Sequence, residues 1–165
     1  MISIICVYNN EESLENHLLK SLNVQKVHYE LIFLDNSNGK FSSASEALNY
    51  GGNKAKGEYL MFVHQDYDLE SDTWLADAEE IINNLENVGI VGVAGKYDRN
   101  MISNITTGVP PVLAGPIQIK EPKKVQTLDE CLIIIPKKVF EEIQFDEDVC
   151  DNWHLYATDY CLTAQ

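Results

Sequence analysis

Residues 59–69 read YLMFVHQDYDL, and in this stretch a short apolar run is followed at once by polar and acidic residues. An apolar run of this length, bounded by turn-forming residues, predicts a buried β-strand. Ligands of open parallel sheets bind beyond the carboxyl ends of the strands. The stretch therefore predicts a core strand and, at residues 64–68, one edge of a binding site.

The chain on either side of this strand alternates between strand and helix patterns. The helix signals are leucines at a spacing of four after Asn10, a capping-box spacing from Ser43 to Glu46, and an apolar stripe after Asp72-Thr73. This order predicts βαβ units, a mostly parallel sheet and right-handed crossovers. The further strands are predicted at residues 2–7, 30–34 and 88–94.

The pattern changes after Gly95. Residues 96–116 are rich in Gly and Pro and have little periodicity, which predicts a long irregular loop. Two more helices are predicted, one beginning near Pro136 and one over residues 156–164. Shorter strands are predicted at residues 117–119, 124–128 and 131–135.

The composition is that of one ordinary globular domain, with 165 residues, 45% apolar and 23% charged. The longest uninterrupted apolar run, residues 131–135, is too short to cross a bilayer, so we expect no transmembrane segment. Residues 2–8 lack a basic flank and a cleavage site, which favours a first core strand in a cytoplasmic protein. The four cysteines show no CxxC spacing and are expected to be reduced. A zinc site using Cys150 and His154 would lack a second pair of ligands.

The charge is strongly acidic, with 12 Lys and Arg against 26 Asp and Glu and a formal net charge of -14. Nucleic acids and anionic membranes are bound through clustered Lys and Arg, so both classes of partner are disfavoured. A small anionic ligand such as a nucleotide remains possible. It would need a divalent cation to mask the repulsion.

Polar residues follow each of the first three predicted strands. They are Tyr8-Asn9-Asn10, Asp35-Asn36-Ser37 and His64-Gln65-Asp66. A carboxylate such as Asp35 can accept a hydrogen bond from a base or a ribose, or can simply form an Asx-turn. A divalent ion that bridges a diphosphate needs only one or two protein carboxylates, although residues 64–68 could also be a solvated turn. No GxGxxG follows the first strand and no GxxxxGK[ST] occurs, which argues against a dinucleotide-binding Rossmann domain and a P-loop NTPase.

Five pieces of the chain, in order, resemble family 2 glycosyltransferases with the GT-A fold. The first four are ISIICVYN, ELIFLDNSN, AKGEY at residues 55–59 and VHQDYDL, which resemble the nucleotide-binding half of the family. In the fourth piece Asp66 matches the last Asp of the family's Asp-x-Asp, and His64 replaces the first, as in the branch that carries His-Gln-Asp. The fifth piece, WHLYATDYCL at residues 153–162, resembles the family's aromatic, Tyr-Gly-Glu-Asp, Leu segment. There Asp159 falls on the catalytic carboxylate, while Thr158 departs from the usual Glu.

The resemblance implies an α/β fold of GT-A type, with a mostly parallel central sheet flanked by helices. It implies one domain over residues 1–165, with a Rossmann-like nucleotide-binding half at 1–95 and a smaller mixed acceptor half at 96–165. Because related transferases generally continue beyond the position of Leu162, we expect this acceptor half to be short at its C-terminus.

The implied activity is transfer of a sugar, with inversion, from a nucleotide diphosphate sugar to a hydroxyl of a glycan or other acceptor, in polysaccharide or glycoconjugate synthesis. The implied cofactor is Mn²⁺ or Mg²⁺, held by Asp66 with His154 as a further candidate ligand, and the implied general base is Asp159. The implied donor-binding residues are Tyr8, Asn9, Asp35, Asn36, His64 and Gln65.

Three alternatives stay open at this stage. The chain could be a non-catalytic module that binds a nucleotide sugar or a partner with the same fold, and Asp159 could then be an ordinary acid at a helix start. His154 could be a structural neighbour of Trp153. An acidic signalling receiver would use Asp66 and Lys96, but it lacks the paired acids expected after the first strand. The sugar, the nucleobase, the acceptor and the oligomeric state are not fixed by the sequence.

Overall fold

A five-stranded sheet forms the centre of the protein in a computed structural model that describes residues 1–164. The five strands are β1 (Ile2–Tyr8), β2 (Tyr29–Asp35), β3 (Tyr59–Val63), β4 (Val91–Gly92) and β10 (Leu132–Pro136). The strand order is β2-β1-β3-β10-β4, and four of the five strands run in the same direction, since only β10 is antiparallel to its neighbours. The predicted α/β fold with a mostly parallel central sheet is confirmed.

Helices cover both faces of this sheet. The first is one continuous helical stretch made of α1 (Glu11–Leu14), a π-helical segment (Glu15–Leu19) and α2 (Lys20–Leu22), and it buries the three leucines that predicted it. The others are α3 (Ala44–Gly52), α4 (Trp74–Asn83), α5 (Lys137–Glu142) and α6 (Tyr156–Thr163). The first helical stretch and α4 contribute to one apolar cluster, whereas α3, α5 and α6 contribute to the other.

The start of α3 follows the predicted capping box with one difference. The Ser43 side chain accepts a hydrogen bond from the Glu46 N–H at 3.2 Å, as expected for an N-cap. The Glu46 carboxylate, however, accepts the N–H of Ser42 at 2.7 Å, one residue before the cap. The Ser43 side chain thus satisfies one orphan donor of the helix start, and Glu46 holds the residue before the cap.

Gly57, in the middle of the AKGEY piece, lies against the N-terminal strand. Its N–H donates to the Ser3 hydroxyl at 2.8 Å, and a Cβ at this position would lie 2.7 Å from both the Met1 carbonyl oxygen and the Ser3 nitrogen. The glycine is therefore required for close approach of two backbones. Ser3 in turn donates to the Glu30 carboxylate at 2.6 Å, which ties the starts of β1, β2 and β3 together.

The strand predicted at residues 88–94 is divided between two sheets. Only β4 belongs to the central sheet, and β5 (Ala94–Tyr97) starts the second sheet. The sequence pattern did not show this division, because it depends on close contacts with distant backbone that two glycines allow. A Cβ on Gly92 would lie 3.0 Å from the Leu132 carbonyl oxygen, and one on Gly95 would lie 2.7 Å from that of Thr127.

Residues 96–128 are more regular than the predicted loop. β6 (Asn100–Ser103), β5 and β9 (Thr127–Leu128) form a three-stranded antiparallel sheet, and β7 (Thr106–Thr107) pairs with β8 (Val112–Leu113). The strand predicted at 124–128 is reduced to β9, and the one predicted at 117–119 is a single bridge between Ile102 and Ile117. Non-local pairing, which periodicity does not encode, decides these short strands.

Two predictions concerned a transmembrane segment and the state of the cysteines. Among residues 1–164 no helix is long and apolar enough to cross a membrane. All four cysteines are free thiols.

Candidate active site

The carboxyl ends of β1, β2 and β3 meet at one edge of the sheet. Tyr8 and Asp35 are paired in the parallel register of β1 and β2, so the last residues of the two strands lie side by side. Burial and the nearby charge of Asp35 raise the pKa of Tyr8. An aromatic ring and a carboxylate in this position can stack on a base and accept a hydrogen bond from it.

Asp35 is both an exposed carboxylate and part of a turn. Its Oδ1 accepts the Ser37 N–H at 2.8 Å, which is the Asx-turn that local chemistry allowed. Hydrogen bonds from the Ser37 hydroxyl and backbone hold the pKa of Asp35 below its ordinary value. The group is exposed, so it is an ionised acceptor available to a ligand at neutral pH.

Gln65 connects the loops that follow β1 and β3. Its Oε1 accepts the N–H groups of Asn9 and Asn10, both at 3.0 Å, and its Nε2 donates to the Asn9 Oδ1 at 2.9 Å. Both ends of the Gln65 amide therefore have partners within the protein, and they hold the two loops in register.

Asn36 closes the loop after β2 in a similar way. Its N–H donates to the Tyr8 carbonyl oxygen at 2.7 Å, and its side chain exchanges hydrogen bonds with the backbone of Phe41. The Asn36 side chain thus shapes the loop beside Tyr8 and Asp35.

His64 is linked to the last helix through Tyr156. The His64 Nε2 lies 3.2 Å from the Tyr156 hydroxyl, which also lies 3.1 Å from the Glu130 carbonyl oxygen. Because a carbonyl can only accept, the hydroxyl donates its one hydrogen to Glu130, and the hydrogen-bond network assigns a proton to the His64 Nε2. Nδ1 then carries the lone pair in the neutral ring.

Tyr156 is a buried part of this link. The residue is only 5% exposed, and burial followed by the charge of Glu130 raises the pKa of its phenol far above the ordinary value. The phenol is therefore a neutral hydroxyl at neutral pH, and it holds the orientation of His64.

Glu130 fixes the beginning of α6. Its Oε2 accepts the N–H of Leu155 at 2.8 Å, and its Oε1 lies 3.3 Å from the His154 Nδ1. Leu155 itself has a left-handed φ of 70°, which is strained for a leucine, so the contact with Glu130 helps to hold this backbone turn. Glu130 was not predicted from the sequence, since its partners lie 24 and 25 residues away. Its only local signal is its place among the acids that precede the apolar run at 131–135.

Asp159 lies in the first turn of α6, where a negative charge is favourable, one turn beyond Tyr156. It is half-buried, and its charge acts on the thiol of Cys150, whose pKa is raised mainly by burial. The helix that carries Asp159 is thus joined to the sheet edge through Tyr156 and His64. Asp159 is not among the described residues that line the cleft beside Asp66.

Asp66 lies in a wide open cleft of about 1870 Å³, together with His17, His64 and Asp68. Its carboxylate is exposed and forms no hydrogen bond or ion pair with any residue between 1 and 164. Asp68 is paired with His17 at 2.9 Å. Burial, with a smaller effect of the Asp66 charge, raises the pKa of Cys6 to about 12, so that thiol is not ionised.

The donor set fits a hard divalent cation that is shared with a ligand. Within the part of the chain that the structure describes, no group of three or more His, Cys, Asp or Glu side chains is arranged to hold a metal by itself. Mg²⁺ and Mn²⁺ prefer oxygen, and Mg²⁺ commonly takes one or two carboxylates, with phosphates and water completing its shell. The free carboxylate of Asp66 meets that requirement. His154 is 80% exposed, contacts Glu130 and does not line the cleft.

Comparisons with known proteins agree with this architecture. The sequence model described as "Glycosyltransferase like family" matches residues 3–165, which is nearly the whole chain. The chain therefore belongs to this glycosyltransferase-like family. No curated protein matches it.

Two solved structures share this fold. TarS 1-349 from S. aureus has a TM-score of 0.65 at 18% identity, and the match covers 99% of this chain and 54% of that one. The mannosyltransferase PcManGT from Pyrobaculum calidifontis, solved with GDP-Man and Mn²⁺, has a TM-score of 0.62 at 14% identity and covers 92% and 49%. TarS 1-349 was also solved with UDP-GlcNAc. The chain spans about half the length of these proteins, and the likeness establishes a GT-A-like fold.

Proposed function

We propose that the chain carries the donor site and the catalytic base of an inverting glycosyltransferase. It would move a sugar from a nucleotide diphosphate sugar to a hydroxyl of a glycan or other acceptor, in polysaccharide or glycoconjugate synthesis. The observation that supports this most is the sheet edge, where Tyr8 and Asp35 lie side by side and His64 is tied to the helix of Asp159. The cytoplasmic location and the division into halves at residues 1–95 and 96–165 stay predictions.

In this proposal the nucleotide lies across the ends of β1, β2 and β3. The ring of Tyr8 stacks on the base, and the carboxylate of Asp35 accepts a hydrogen bond from the base or the ribose. The free Nδ1 of His64 accepts from a ribose hydroxyl or contributes to the metal shell. Asn9, Asn36 and Gln65, predicted as donor-binding residues, support the site by holding its loops (their hydrogen bonds are within the protein).

Asp66 would hold Mn²⁺ or Mg²⁺ beside the diphosphate, in the manner of the His-Gln-Asp branch. When bound, the cation supplies Lewis-acid stabilisation of the charge that develops on the leaving diphosphate. A role for His154 as a further ligand stays a prediction; its ring contacts Glu130 and does not line the cleft that contains Asp66.

Asp159 would accept the proton of the acceptor hydroxyl. The hydroxyl oxygen then forms its bond to the anomeric carbon as the bond to the diphosphate oxygen breaks on the opposite face, and the configuration inverts. Glu130 and Tyr156 act as positioning residues, since they fix the start of the helix on which Asp159 lies.

The test is to measure donor binding and sugar transfer separately. A thermal-shift panel of nucleotide diphosphate sugars, with and without Mn²⁺, identifies the donor because a ligand of the native state raises its melting temperature. For that donor, Asp159→Asn should keep the thermal shift and lose transfer or donor hydrolysis by about 10²–10⁴-fold, the usual contribution of a general base. Asp148→Asn, an exposed acid outside the site, is the matched control.

The outcomes separate this proposal from a binding module of the same fold. Binding of a nucleotide sugar without turnover of any donor would favour a non-catalytic module. If no nucleotide sugar shifts the melting temperature, the donor site itself is wrong.

A further inference from the structure

Positive charge is concentrated in one segment of this acidic protein. Residues 96–124 carry five of the chain's 12 Lys and Arg and only two acids, an excess of three positive charges in a chain whose net charge is -14. The five are Lys96, Arg99, Lys120, Lys123 and Lys124.

Among residues 1–164, these five cations form no ion pair with an acid. The ion pairs found among residues 1–164 use the amino terminus, two histidines, Lys26 and Lys137, and none uses a cation of this segment. Lys123 is instead held over the ring of Tyr97, with its Nζ 3.7 Å from the ring centroid. Lys120 and Lys124 are exposed.

The segment borders the cleft that contains Asp66. Lys120, Lys123 and Lys124 all line that cleft. The Thr106 hydroxyl donates to the Glu70 carboxylate at 3.1 Å, which fixes the segment against the loop that follows the His-Gln-Asp stretch.

The backbone next to these lysines is also held in place. Asn104 bonds the backbone of Ile119 twice, from its Nδ2 to the carbonyl oxygen at 2.9 Å and from the Ile119 N–H to its Oδ1 at 3.0 Å. This pair of bonds attaches the strand-like residues before Lys120 to the end of β6. The lysines are therefore carried by a backbone segment that hydrogen bonds hold in place.

We propose that Lys120, Lys123 and Lys124 form a binding site for an acidic acceptor, one that carries phosphate or carboxylate groups along its length. The name acceptor rests on the proposed function. The protein as a whole is acidic, and seven acids line the same cleft, so three neighbouring lysines without an ion pair among residues 1–164 determine where an anion can lie. Lysine ammonium groups are compact point charges, which suit phosphate and carboxylate groups of varied geometry.

In the experiment the 165-residue chain is titrated, without metal, with three probes, and calorimetry measures the binding of each. The probes are a short inorganic polyphosphate, an oligogalacturonate and a neutral maltooligosaccharide of similar length, and they separate phosphate, carboxylate and neutral acceptors. We expect at least one acidic probe to bind, more weakly as salt rises, and the neutral probe not to bind. The triple variant Lys120→Gln/Lys123→Gln/Lys124→Gln should lower that affinity by roughly tenfold, since each exposed pair is worth a factor of a few.

A matched control removes three exposed lysines elsewhere, Lys54→Gln/Lys56→Gln/Lys138→Gln, and should leave the affinity unchanged. Circular dichroism confirms that both variants are folded. Equal binding of the neutral probe, or equal losses in the two triple variants, would overturn the proposal.

Titration with uridine diphosphate and Mn²⁺ distinguishes this proposal from the proposed function. If the nucleotide binds to the native chain and no acidic probe does, only the acceptor site is wrong. If the first triple variant loses the nucleotide instead of the acidic probe, these lysines belong to the donor site and the proposal fails. If acidic probes bind through the lysines and no nucleotide or nucleotide sugar binds, the anion site stands and the glycosyltransferase function does not.

Discussion

Replacement of Tyr156 by Phe tests the link between the sheet edge and the last helix. The phenol is buried, and its hydroxyl both donates to the Glu130 carbonyl oxygen and accepts from the His64 Nε2. Tyr156→Phe removes one oxygen with almost no change in packing. It leaves both partners without their hydrogen bond inside the protein.

The expected cost follows from these contacts. A typical buried hydrogen bond contributes about 1 kcal/mol, and an unsatisfied buried partner costs about 1–3 kcal/mol. Tyr156→Phe should therefore lower the free energy of unfolding by about 2 kcal/mol, with the larger part from the Glu130 carbonyl if His64 can turn towards water. Equilibrium unfolding in urea measures this change.

Tyr160→Phe is the matched control on the same helix. Tyr160 is equally buried, and its hydroxyl donates to a single backbone carbonyl oxygen, that of Ile143, at 2.8 Å. Its loss should cost about 1 kcal/mol and should not affect His64.

The decisive measurement is the tautomer of the His64 ring, which ¹⁵N NMR reports. The native protein should show the proton of the neutral ring on Nε2, Tyr160→Phe should leave this unchanged, and Tyr156→Phe should mix the two tautomers. A native His64 with its proton on Nδ1, or an identical His64 spectrum in Tyr156→Phe, would refute the assigned network.

Three further predictions concern the supports of the site and its cation. Gly57→Ala should lower the free energy of unfolding by about 1–3 kcal/mol in urea titrations, because the added Cβ would lie 2.7 Å from backbone atoms of Met1 and Ser3. Gly89→Ala, whose Cβ would meet nothing closer than 3.9 Å, should be nearly neutral, and equal effects would contradict the close-approach argument. The hydrogen bond from Ser3 holds the pKa of Glu30 below its ordinary value of 4.5. The ionised form of this partly exposed carboxylate therefore stabilises the fold above pH 4.5. The stabilisation is lost as the pH falls through the lower pKa of the folded state. Glu30→Gln should therefore cost about 1 kcal/mol at pH 7 and flatten the pH dependence below 4.5; an unchanged profile would remove Glu30 from this account. Asp66→Asn should remove the effect of Mn²⁺ on the binding of uridine diphosphate. The affinity should fall at least tenfold, as much as it falls when the metal is chelated, and an undiminished dependence on Mn²⁺ would place the cation elsewhere.

Local patterns in the sequence were sufficient for the helices, for the first three strands and for the edge at which those strands end. Leu14, Leu18 and Leu22 recur once per turn and are all buried, and Ser43 caps its helix as its spacing predicted. The polar residues after β1, β2 and β3 come together because parallel strands end at one edge, a consequence that needs only the strand order.

The antiparallel strand β10 shows where these patterns stop. Its apolar run was predicted, but its place between β3 and β4 was not, because an apolar run does not specify its neighbours. That placement brings the Cys131 carbonyl oxygen to the His64 N–H at 3.0 Å, and so places Glu130 beside the site. The second sheet was missed for the same reason, since its strands are held by non-local pairing and by glycines that allow close approach.

The α/β class, the acidic character and the residue types at the strand ends can all be obtained from the chain of amino acids, since helix and strand periods, caps and net charge are local or additive properties. Which of those residues can meet a ligand depends on the packing of the folded protein. The carboxylate of Asp66 has no hydrogen-bond or ion-pair partner in the described part of the chain, whereas Asn36 and Gln65 bind their own loops. His64 is oriented by a tyrosine 92 residues away. Such contacts depend on how distant segments pack. The energy of each hydrogen bond depends on a partner that is distant in the chain and that the local sequence does not identify.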